Sequence, residues 1–312
     1  MINWGILGMG RMGTSFANAI KETSNSKLTG TASNSGKVFD NFKNKTYDDL
    51  INDKNIDAIY IATLNNTHVE LIKKIIGAKK KILCEKPLAT SLKSFSEIEK
   101  LISDKKIQFY EAIAYYSHPQ TNEVLNLIEN DEIGNIEKIE SKFGFKARFK
   151  PSSRLFNKDF GGGSILDLGC YPISFFMLFS KLQNKISIDN KKINYAKSGV
   201  DDDATATLNY DNKFEGIIHV SIKKNLENTC TIYGSKGFIK VKSPWLPNND
   251  TIIEISSKNH FYIKQIKSNL SVYANQIEKV SENFLSNNGT NNLFDIQKSS
   301  INMKLIDNWL NK

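Results

Sequence analysis

The stretch Ile2-Asn3-Trp4-Gly5-Ile6-Leu7-Gly8-Met9-Gly10-Arg11-Met12-Gly13 decides how the first third of the chain folds. Ile2 to Leu7 reads as a short apolar strand, and a helix is expected over about residues 13–23. Between them the glycines fall as G-x-G-x-x-G. Such a motif recurs by chance, but between a strand and a helix it is a dinucleotide fingerprint. Gly8 makes the tight turn, Gly10 lets the backbone approach a pyrophosphate, and Gly13 lets the helix pack on the strand. Arg11 and Met12 lie in the turn itself. The helix N-terminus adds unsatisfied N–H groups and a positive dipole end.

Outward from this stretch, short apolar runs alternate with helical patterns for about a hundred residues, the mark of parallel βαβ construction. Strands are expected at 27–32, 58–63, 81–84 and 107–112, with helices at 47–52, 67–77 and 92–103. After Pro119 the pattern changes. One helix (121–130) leads into strand-like stretches at 136–149, 204–210, 214–222, 229–233, 238–241, 251–256 and 261–266. Asp211-Asn212 and Gly234-Ser235-Lys236-Gly237 are hairpin turns by composition, and helices at 273–286 and 295–310 close the chain. The expected fold is an α/β Rossmann domain, residues 1–118, followed by an α+β domain, residues 119–312, with an open, mostly antiparallel sheet. In Phe214–Val220 neither face is wholly polar, which predicts an apolar sheet surface and a homodimer or homotetramer formed through it.

At 312 residues the chain is too long for one ordinary core. The net charge of +9 comes from 42 basic against 33 acidic residues. Only Arg11, Arg148 and Arg154 are arginines; lysines supply the rest and are spread along the whole length. The densest run is Lys79-Lys80-Lys81. Nucleic-acid binders concentrate charge on one face, so no nucleic-acid partner is expected. Cys84, Cys170 and Cys230 are far apart and form no disulfide or zinc spacing, which fits a reducing cytoplasm. His68, His118, His219 and His260 are dispersed, and no metal site is expected. The apolar run 171–179 is about half of the ~20 residues that span a bilayer, so no membrane anchor is expected.

The end of the second strand reads Ala32-Ser33-Asn34-Ser35-Gly36-Lys37, with no carboxylate until Asp40. An acid there would bind the ribose 2′-OH and repel a 2′-phosphate. Ser33, Asn34, Ser35 and Lys37 suit a phosphate, which favours NADP over NAD, although Lys37 lacks the fork of a guanidinium. The same residues also suit a plain polar turn.

Two further segments carry candidate chemistry. Cys84-Glu85-Lys86-Pro87 ends a predicted parallel strand, at the edge where open α/β sheets bind ligands. A lysine there can stabilise a developing alkoxide; by spacing alone it can equally be a surface lysine. The second segment, Gly161-Gly162-Gly163-Ser164-Ile165-Leu166-Asp167-Leu168-Gly169-Cys170-Tyr171-Pro172, puts Asp167 and Tyr171 four residues apart, on one face of a helix. A nearby ammonium would lower the phenol's pKa and ease proton exchange with a hydroxyl. The alternative is a capping box, Ser164 with Asp167, followed by a buried tyrosine ring.

Taken in order, the glycine motif, Ile61-Ala62-Thr63-Leu64-Asn65-Asn66-Thr67-His68, Glu85-Lys86-Pro87-Leu88-Ala89, Glu111-Ala112, His118-Pro119-Gln120, Arg154 and the 161–172 segment resemble the glucose–fructose oxidoreductase / inositol dehydrogenase / MocA family nearly end to end. The resemblance implies oxidation or reduction of a hydroxyl on a sugar, cyclitol or cyclic diol. By resemblance Thr63, Leu64, Asn65 and His68 border the cofactor, with Glu85 nearby. Lys86 polarises the reacting oxygen, Tyr171 exchanges its proton, and Asp167 orients the pair. Many members carry histidine at the position of Tyr171; the tyrosine form resembles the branch of aldose and dihydrodiol dehydrogenases. Tyr115, Tyr116 and Arg154 are the expected substrate contacts. The chain departs from the family pattern at Tyr116, where an arginine is expected, and at Ser117, where an aromatic is expected. It also departs around Leu293-Phe294-Asp295. Two other readings stay open: a nucleotide-sugar dehydrogenase of polysaccharide synthesis, and a non-catalytic cofactor-binding regulator. Retention of Lys86, Asp167 and Tyr171 together speaks against the regulator.

Overall fold

The computed structural model describes residues 1–180, 185–257, 260–286 and 293–311. Six strands, β1 (Ile2–Leu7), β2 (Ser26–Ala32), β3 (Asn44–Lys45), β4 (Ala58–Ile61), β5 (Lys81–Cys84) and β6 (Phe109–Glu111), form a parallel sheet in the order β3-β2-β1-β4-β5-β6. Helices α1 (Arg11–Ala19), α2 (Tyr47–Ile51), α3 (His68–Gly77) and α4 (Leu92–Lys105) connect them. The strand order reverses between β1 and β4, the switch point at which such sheets bind ligands. Helix α1 starts at Arg11, two residues before its expected start.

The second sheet contains β7 (Ile136–Gly144), β8 (Ile186–Tyr195), β9 (Asp201–Tyr210), β10 (Phe214–Ser221), β11 (Thr229–Gly234), β12 (Gly237–Lys242), β13 (Asp250–Ser257) and β14 (His260–Lys267). Its order is β14-β13-β12-β11-β7-β10-β9-β8, antiparallel except for β7 beside β10. Helix α5 (Pro119–Glu129) precedes the sheet in sequence, and the apolar run becomes α6 (Cys170–Met177). The hairpin at Asp211-Asn212 has φ of 49° and 55°, the left-handed pair that a primed two-residue turn requires. Strand β8 was not expected. Only Ile188 is buried in it, so this edge strand shows no apolar alternation.

One face of this sheet buries Ile139, Ile218, Ile232, Ile239, Ile253 and Ile255. The other differs from the expected bare apolar surface. It carries ion pairs Lys138–Glu140 (2.7 Å), Lys242–Glu254 (2.5 Å) and His219–Asp203 (2.8 Å), with Ile217 40% exposed among them. Charges at alternate positions are what a wetted or polar-packed face needs.

The chain forms two compact units, Met1–Ser117 with Asn269–Ser300, and His118–Ser268 with Ile301–Lys312. The assignment of everything after 118 to a second domain is therefore corrected. Helix α7 (Val272–Ser286) belongs to the first unit, because Ala274, Ile277, Val280 and Phe284 form an apolar stripe at helical spacing. That stripe enters the core beside Trp4, whose ring lies 5.7 Å from Phe284 and whose Nε1–H donates to Ser281 Oγ at 3.0 Å. In the same core Phe16 stacks on Tyr60 with centroids 4.0 Å apart.

The unusual tail also finds a place. The Phe294 carbonyl accepts from Glu111 N–H at 2.9 Å, its ring meets Tyr116 edge-on at 5.1 Å, and Asp295 Oδ1 accepts from Lys298 N–H to start α8 (Ile296–Leu310). The lysine run is partly spent inside the first unit, with Lys80 Nζ donating to the carbonyls of Asp53 (2.8 Å) and Ile56 (2.6 Å). Among the described residues no helix is long and apolar enough to cross a membrane, and no cluster of His, Cys, Asp or Glu is placed to hold a metal.

Candidate active site

Strands β1, β4 and β5 lie side by side, with Leu7 level with Ile61 and Ile61 level with Cys84. The residues after each strand, Gly8, Ala62-Thr63 and Glu85-Lys86, therefore share one sheet edge. Strand spacing puts the Lys86 turn about 10 Å along this edge from the glycine turn.

Gly10 precedes α1 with φ −74° and ψ −163°, and no side chain caps the helix. A Cβ on Gly10 would meet nothing within 4 Å. Packing thus makes no demand for glycine here, and the space over the first-turn N–H groups is open, a cradle that fits a pyrophosphate. Gly13 differs: its Cβ would come 2.0 Å from the Gly8 carbonyl oxygen. Gly8 itself has φ +94°, which an L side chain would strain. These residues fit the dinucleotide that the motif implies.

After β2, Ser33 is anchored by Asn44, which accepts its N–H (2.9 Å) and donates to its carbonyl (3.0 Å). Asn34, Ser35 and Lys37 are exposed. Lys37 Nζ donates to Thr14 Oγ1 at 3.3 Å, which brings the ammonium toward α1. The first carboxylate, Asp40, is paired with Lys21 at 2.8 Å.

On the next loop, Thr63 Oγ1 and Thr67 Oγ1 lie 2.7 Å apart, Leu64 is exposed and Asn65 is buried. His68, expected beside the cofactor, is fully buried at the start of α3. Its Nδ1 lies 3.0 Å from the Pro87 carbonyl and its Nε2 3.4 Å from that of Thr63. Burial pushes its pKa down to about 4, so the ring is neutral and its single N–H donates to one of the two carbonyls, the Pro87 carbonyl at 3.0 Å being the nearer.

Lys86 is half-buried, between Glu85 and Pro87. Glu85 is buried and accepts from the Tyr60 hydroxyl on β4. Burial, with Glu85 adding to it, raises the Tyr60 phenol well above its ordinary pKa. Two further neighbours were not foreseen. Tyr273 of α7 has its hydroxyl 4.0 Å from Met12 Sδ. Burial raises its pKa, as does Glu85, while Arg11 and Lys86 lower it. Its phenol therefore senses both the glycine turn and the Lys86 turn. Glu111 is buried at the end of β6, where burial pushes its carboxyl up to about 7. No local pattern marks either residue, since the fold brings them from distant parts of the chain.

In the second unit the glycine run is held by Asp201. Gly163 has φ +121°, and a Cβ there would sit 2.2 Å from Asp201 Oδ1. Asp201 Oδ2 accepts from Ser164 Oγ and from Ile165 N–H, both at 2.7 Å. A π-helical turn, Ile165–Gly169, follows and runs into α6; such turns often occur at functional sites. The capping box does not form, because the Ser164 hydroxyl goes to Asp201 and Asp167 Oδ1 pairs with Arg154 Nη1 at 2.8 Å. Tyr171 is half-buried against an aromatic wall, with Phe143 edge-on at 5.2 Å and Trp245 at 6.2 Å.

Tyr115 and Tyr116, expected at the substrate, are 0% and 2% exposed. Their rings meet edge-on at 5.2 Å, and Tyr116 also packs on Phe294. They are core residues of the first unit.

The fold and the glycine cradle define a nicotinamide-dinucleotide-binding protein with a second, sheet-based unit. The profile described as "Oxidoreductase family, NAD-binding Rossmann fold" matches residues 2–113, and that of the "GFO/IDH/MocA C-terminal domain" matches residues 121–240. The chain belongs to the GFO/IDH/MocA oxidoreductase family. It is similar to the trans-1,2-dihydrobenzene-1,2-diol dehydrogenase of Xenopus tropicalis, 29% identical over 207 residues that cover 65% of this chain and 61% of that protein. The match thus spans about three fifths of that relative's length. The mouse (Mus musculus) protein of the same name is 26% identical over 258 residues, 79% of this chain and 76% of its own.

Among solved structures, an aldose-aldose oxidoreductase from Caulobacter crescentus complexed with glycerol superposes with a TM-score of 0.87 at 16% identity, covering 99% of this chain and 96% of that one. A 3-ketoreductase from Actinomadura kijaniata, in complex with NADP and TDP-benzene, superposes with a TM-score of 0.87 at 21% identity, covering 98% and 96%. At these identities the likeness is one of fold.

Proposed function

We propose that the protein is an NADP-preferring oxidoreductase acting at a hydroxyl-bearing carbon of a small ring, a sugar, cyclitol or cyclic diol. The observation that carries this is the shared sheet edge of the Gly10 cradle and the Lys86 turn, an amine beside a dinucleotide site. When bound, the nicotinamide supplies or accepts the hydride. The glycine turn and the α1 N-terminus hold the pyrophosphate; Ser33, Asn34, Ser35 and Lys37 take the 2′-phosphate. Lys86 donates to the reacting oxygen and stabilises the charge that develops there. Tyr171 exchanges the hydroxyl proton, and Asp167, fixed by Arg154, orients the tyrosine. The relatives named dihydrodiol dehydrogenases support the cyclic-diol class. Solved variants of the ketoreductase replace one lysine and one tyrosine, at nearly the separation along the chain of Lys86 and Tyr171. That supports the pairing of roles.

The test is reduced-nicotinamide absorbance with NADP and NAD against trans-dihydrodiols, aldoses, inositols and nucleotide sugars. Turnover of a free ring with NADP is expected. Cofactor binding without turnover across the panel would replace the proposal with a regulator; turnover of nucleotide sugars alone would replace the substrate class. We further propose a homodimer through the outward sheet face around Ile217, for which a monomer by light scattering at micromolar concentration is the refuting result. A reducing, cytoplasmic compartment accords with three buried free thiols.

A further inference from the structure

Tyr60 takes no part in the chemistry proposed above, yet it places a phenol in the core of the first unit, 2% exposed. On β4 it is level with Ile6 of β1 and Leu83 of β5. These three residues share one apolar cluster with Phe16 and Ala17, so they lie on the sheet face that α1 covers. The Tyr60 ring stacks on Phe16 at 4.0 Å with 15° between the planes, and Phe16 meets Trp4 edge-on at 5.3 Å. Packing thus fixes where the phenol points. A hydroxyl in such a place needs an acceptor. It donates to Glu85 Oε1, on the loop after β5.

Glu85 is itself only 8% exposed. Its N–H donates to the Ile61 carbonyl at 2.9 Å, which carries the β4–β5 ladder one residue past the strand. Side chains along a strand alternate between faces. Glu85, two residues after Leu83, therefore turns to the α1 face, where Tyr60 meets it. Backbone and side chain are both tied to β4, and the carboxylate stands on the same side of the sheet edge as the glycine cradle, one residue before Lys86. In a dinucleotide held by its pyrophosphate at the α1 N-terminus, the next group toward Lys86 is a ribose, whose hydroxyls are donors. An ionised carboxylate only accepts, and has about four lone-pair sites with which to do so. We propose that Tyr60 is the positioning residue of Glu85: its hydroxyl holds the carboxylate on the α1 face, as an acceptor for a hydroxyl of the nicotinamide-side ribose. The proposal rests on the dinucleotide reading of the glycine turn. Tyr60 itself meets neither cofactor nor substrate.

The experiment titrates the full chain with two fragments of NADP: 2′-phospho-ADP, which ends at the pyrophosphate, and 2′-phospho-ADP-ribose, which adds the ribose. ADP and ADP-ribose replace them if NAD binds more tightly than NADP. The ratio of the two dissociation constants isolates the ribose. Glu85→Ala is expected to weaken the ribose-bearing fragment about tenfold, and Tyr60→Phe about three- to tenfold, the range for loss of one hydrogen bond. Neither should change binding of the shorter fragment. The double variant should bind as Glu85→Ala alone, because Tyr60 acts only through that carboxylate. A Tyr60→Phe loss shared equally by both fragments overturns the proposal, as does one that adds in full to that of Glu85→Ala, since a packing defect would do either. So does a Tyr60→Phe ratio equal to wild type. Tyr60→Phe keeps the ring on Phe16; should it not fold, Glu85→Gln decides alone, and an unchanged ratio there overturns the proposal. Wild type that binds neither fragment overturns the dinucleotide reading itself, whereas wild type that binds both, with the ratio unmoved in the variants, overturns this inference only.

Discussion

Arg154 Nη1 and Asp167 Oδ1 form an ion pair at 2.8 Å in which the carboxylate is 5% exposed and the guanidinium 41%. Asp167 thus enters the second unit's site already matched with a cation, and part of the Arg154 fork is spent on it. Arg154→Ala would strand the buried carboxylate. A fully buried pair broken this way costs about 3–5 kcal/mol; with the guanidinium open to water, about 1–3 kcal/mol is expected here. Urea unfolding measures that loss, and kcat should fall with it because Asp167 loses its anchor. Unchanged stability together with unchanged kcat would show that the pair has no such role.

Lys86→Ala and Tyr171→Phe are each expected to lower kcat strongly while leaving cofactor affinity near wild type. A positioned acid or base contributes about 10²–10⁴-fold, and a loss of that order is expected for Tyr171→Phe. Ring packing against Phe143 and Trp245 survives that change, so thermal stability should barely move. Tyr171→His keeps a group able to exchange the proton, and partial activity with an optimum at lower pH is expected. Near-normal turnover by Tyr171→Phe would make the tyrosine a packing residue.

How much of this was legible in the sequence follows from how local each signal is. The Gly8–Gly13 turn and the parallel strands around it are short-range patterns, and they stand in the structure within a residue or two. Strand β8 was invisible because an edge strand with one buried residue has no apolar period. The partner of Asp167 is Arg154, thirteen residues upstream across a glycine run, and the capping-box spacing pointed to Ser164 instead. His68 follows a loop that borders the cradle, yet burial turns its ring inward, and spacing alone carries no record of burial. Helix α7 has an apolar stripe that any core could accept. Its return to the first unit, which brings Tyr273 toward Lys86, is tertiary information.

Glu111 and His68 should leave opposite marks on stability against pH. Burial raises Glu111 from 4.5 to about 7, so between those values the folded chain holds the extra proton and stability falls as pH rises. His68 and His118 are pushed from 6.5 to about 4 by burial. Between those values the unfolded chain holds the extra protons, and stability rises with pH. Glu111→Gln should therefore gain on wild type as pH climbs from 4.5 to above 7, by up to about 3 kcal/mol. Denaturant melts at four or five pH values measure the difference. A difference that stays flat with pH would mean the carboxyl titrates normally.

Lys37 is exposed, and its ammonium reaches toward α1 through Thr14. Lys37→Ala should weaken NADP binding about three- to tenfold, the range of one charge-assisted contact at a wet surface. NAD binding should not change, and the NADP loss should shrink in high salt. Titration of both cofactors against the variant makes the check. Equal weakening of both would remove the 2′-phosphate assignment.

Gly10 and Gly13 sit three residues apart and should fail in opposite ways when given a methyl group. At Gly10 the added Cβ meets no protein atom within 4 Å, and the backbone is in a region that any residue adopts. Gly10→Ala should lose no more than about 1 kcal/mol of stability, the cost of alanine at a helix N-cap. The methyl instead enters the space open to the pyrophosphate, and cofactor Kd should rise about tenfold or more, about 1.4 kcal/mol per factor of ten. At Gly13 the Cβ would lie 2.0 Å from the Gly8 carbonyl oxygen, so helix and strand must part. Gly13→Ala should lower stability by about 1–3 kcal/mol or more and disturb the cofactor only through the damaged turn. Thermal melts and cofactor titrations on the two variants separate these effects. If Gly10→Ala binds NADP as tightly as wild type, the open space above α1 is not where the pyrophosphate lies.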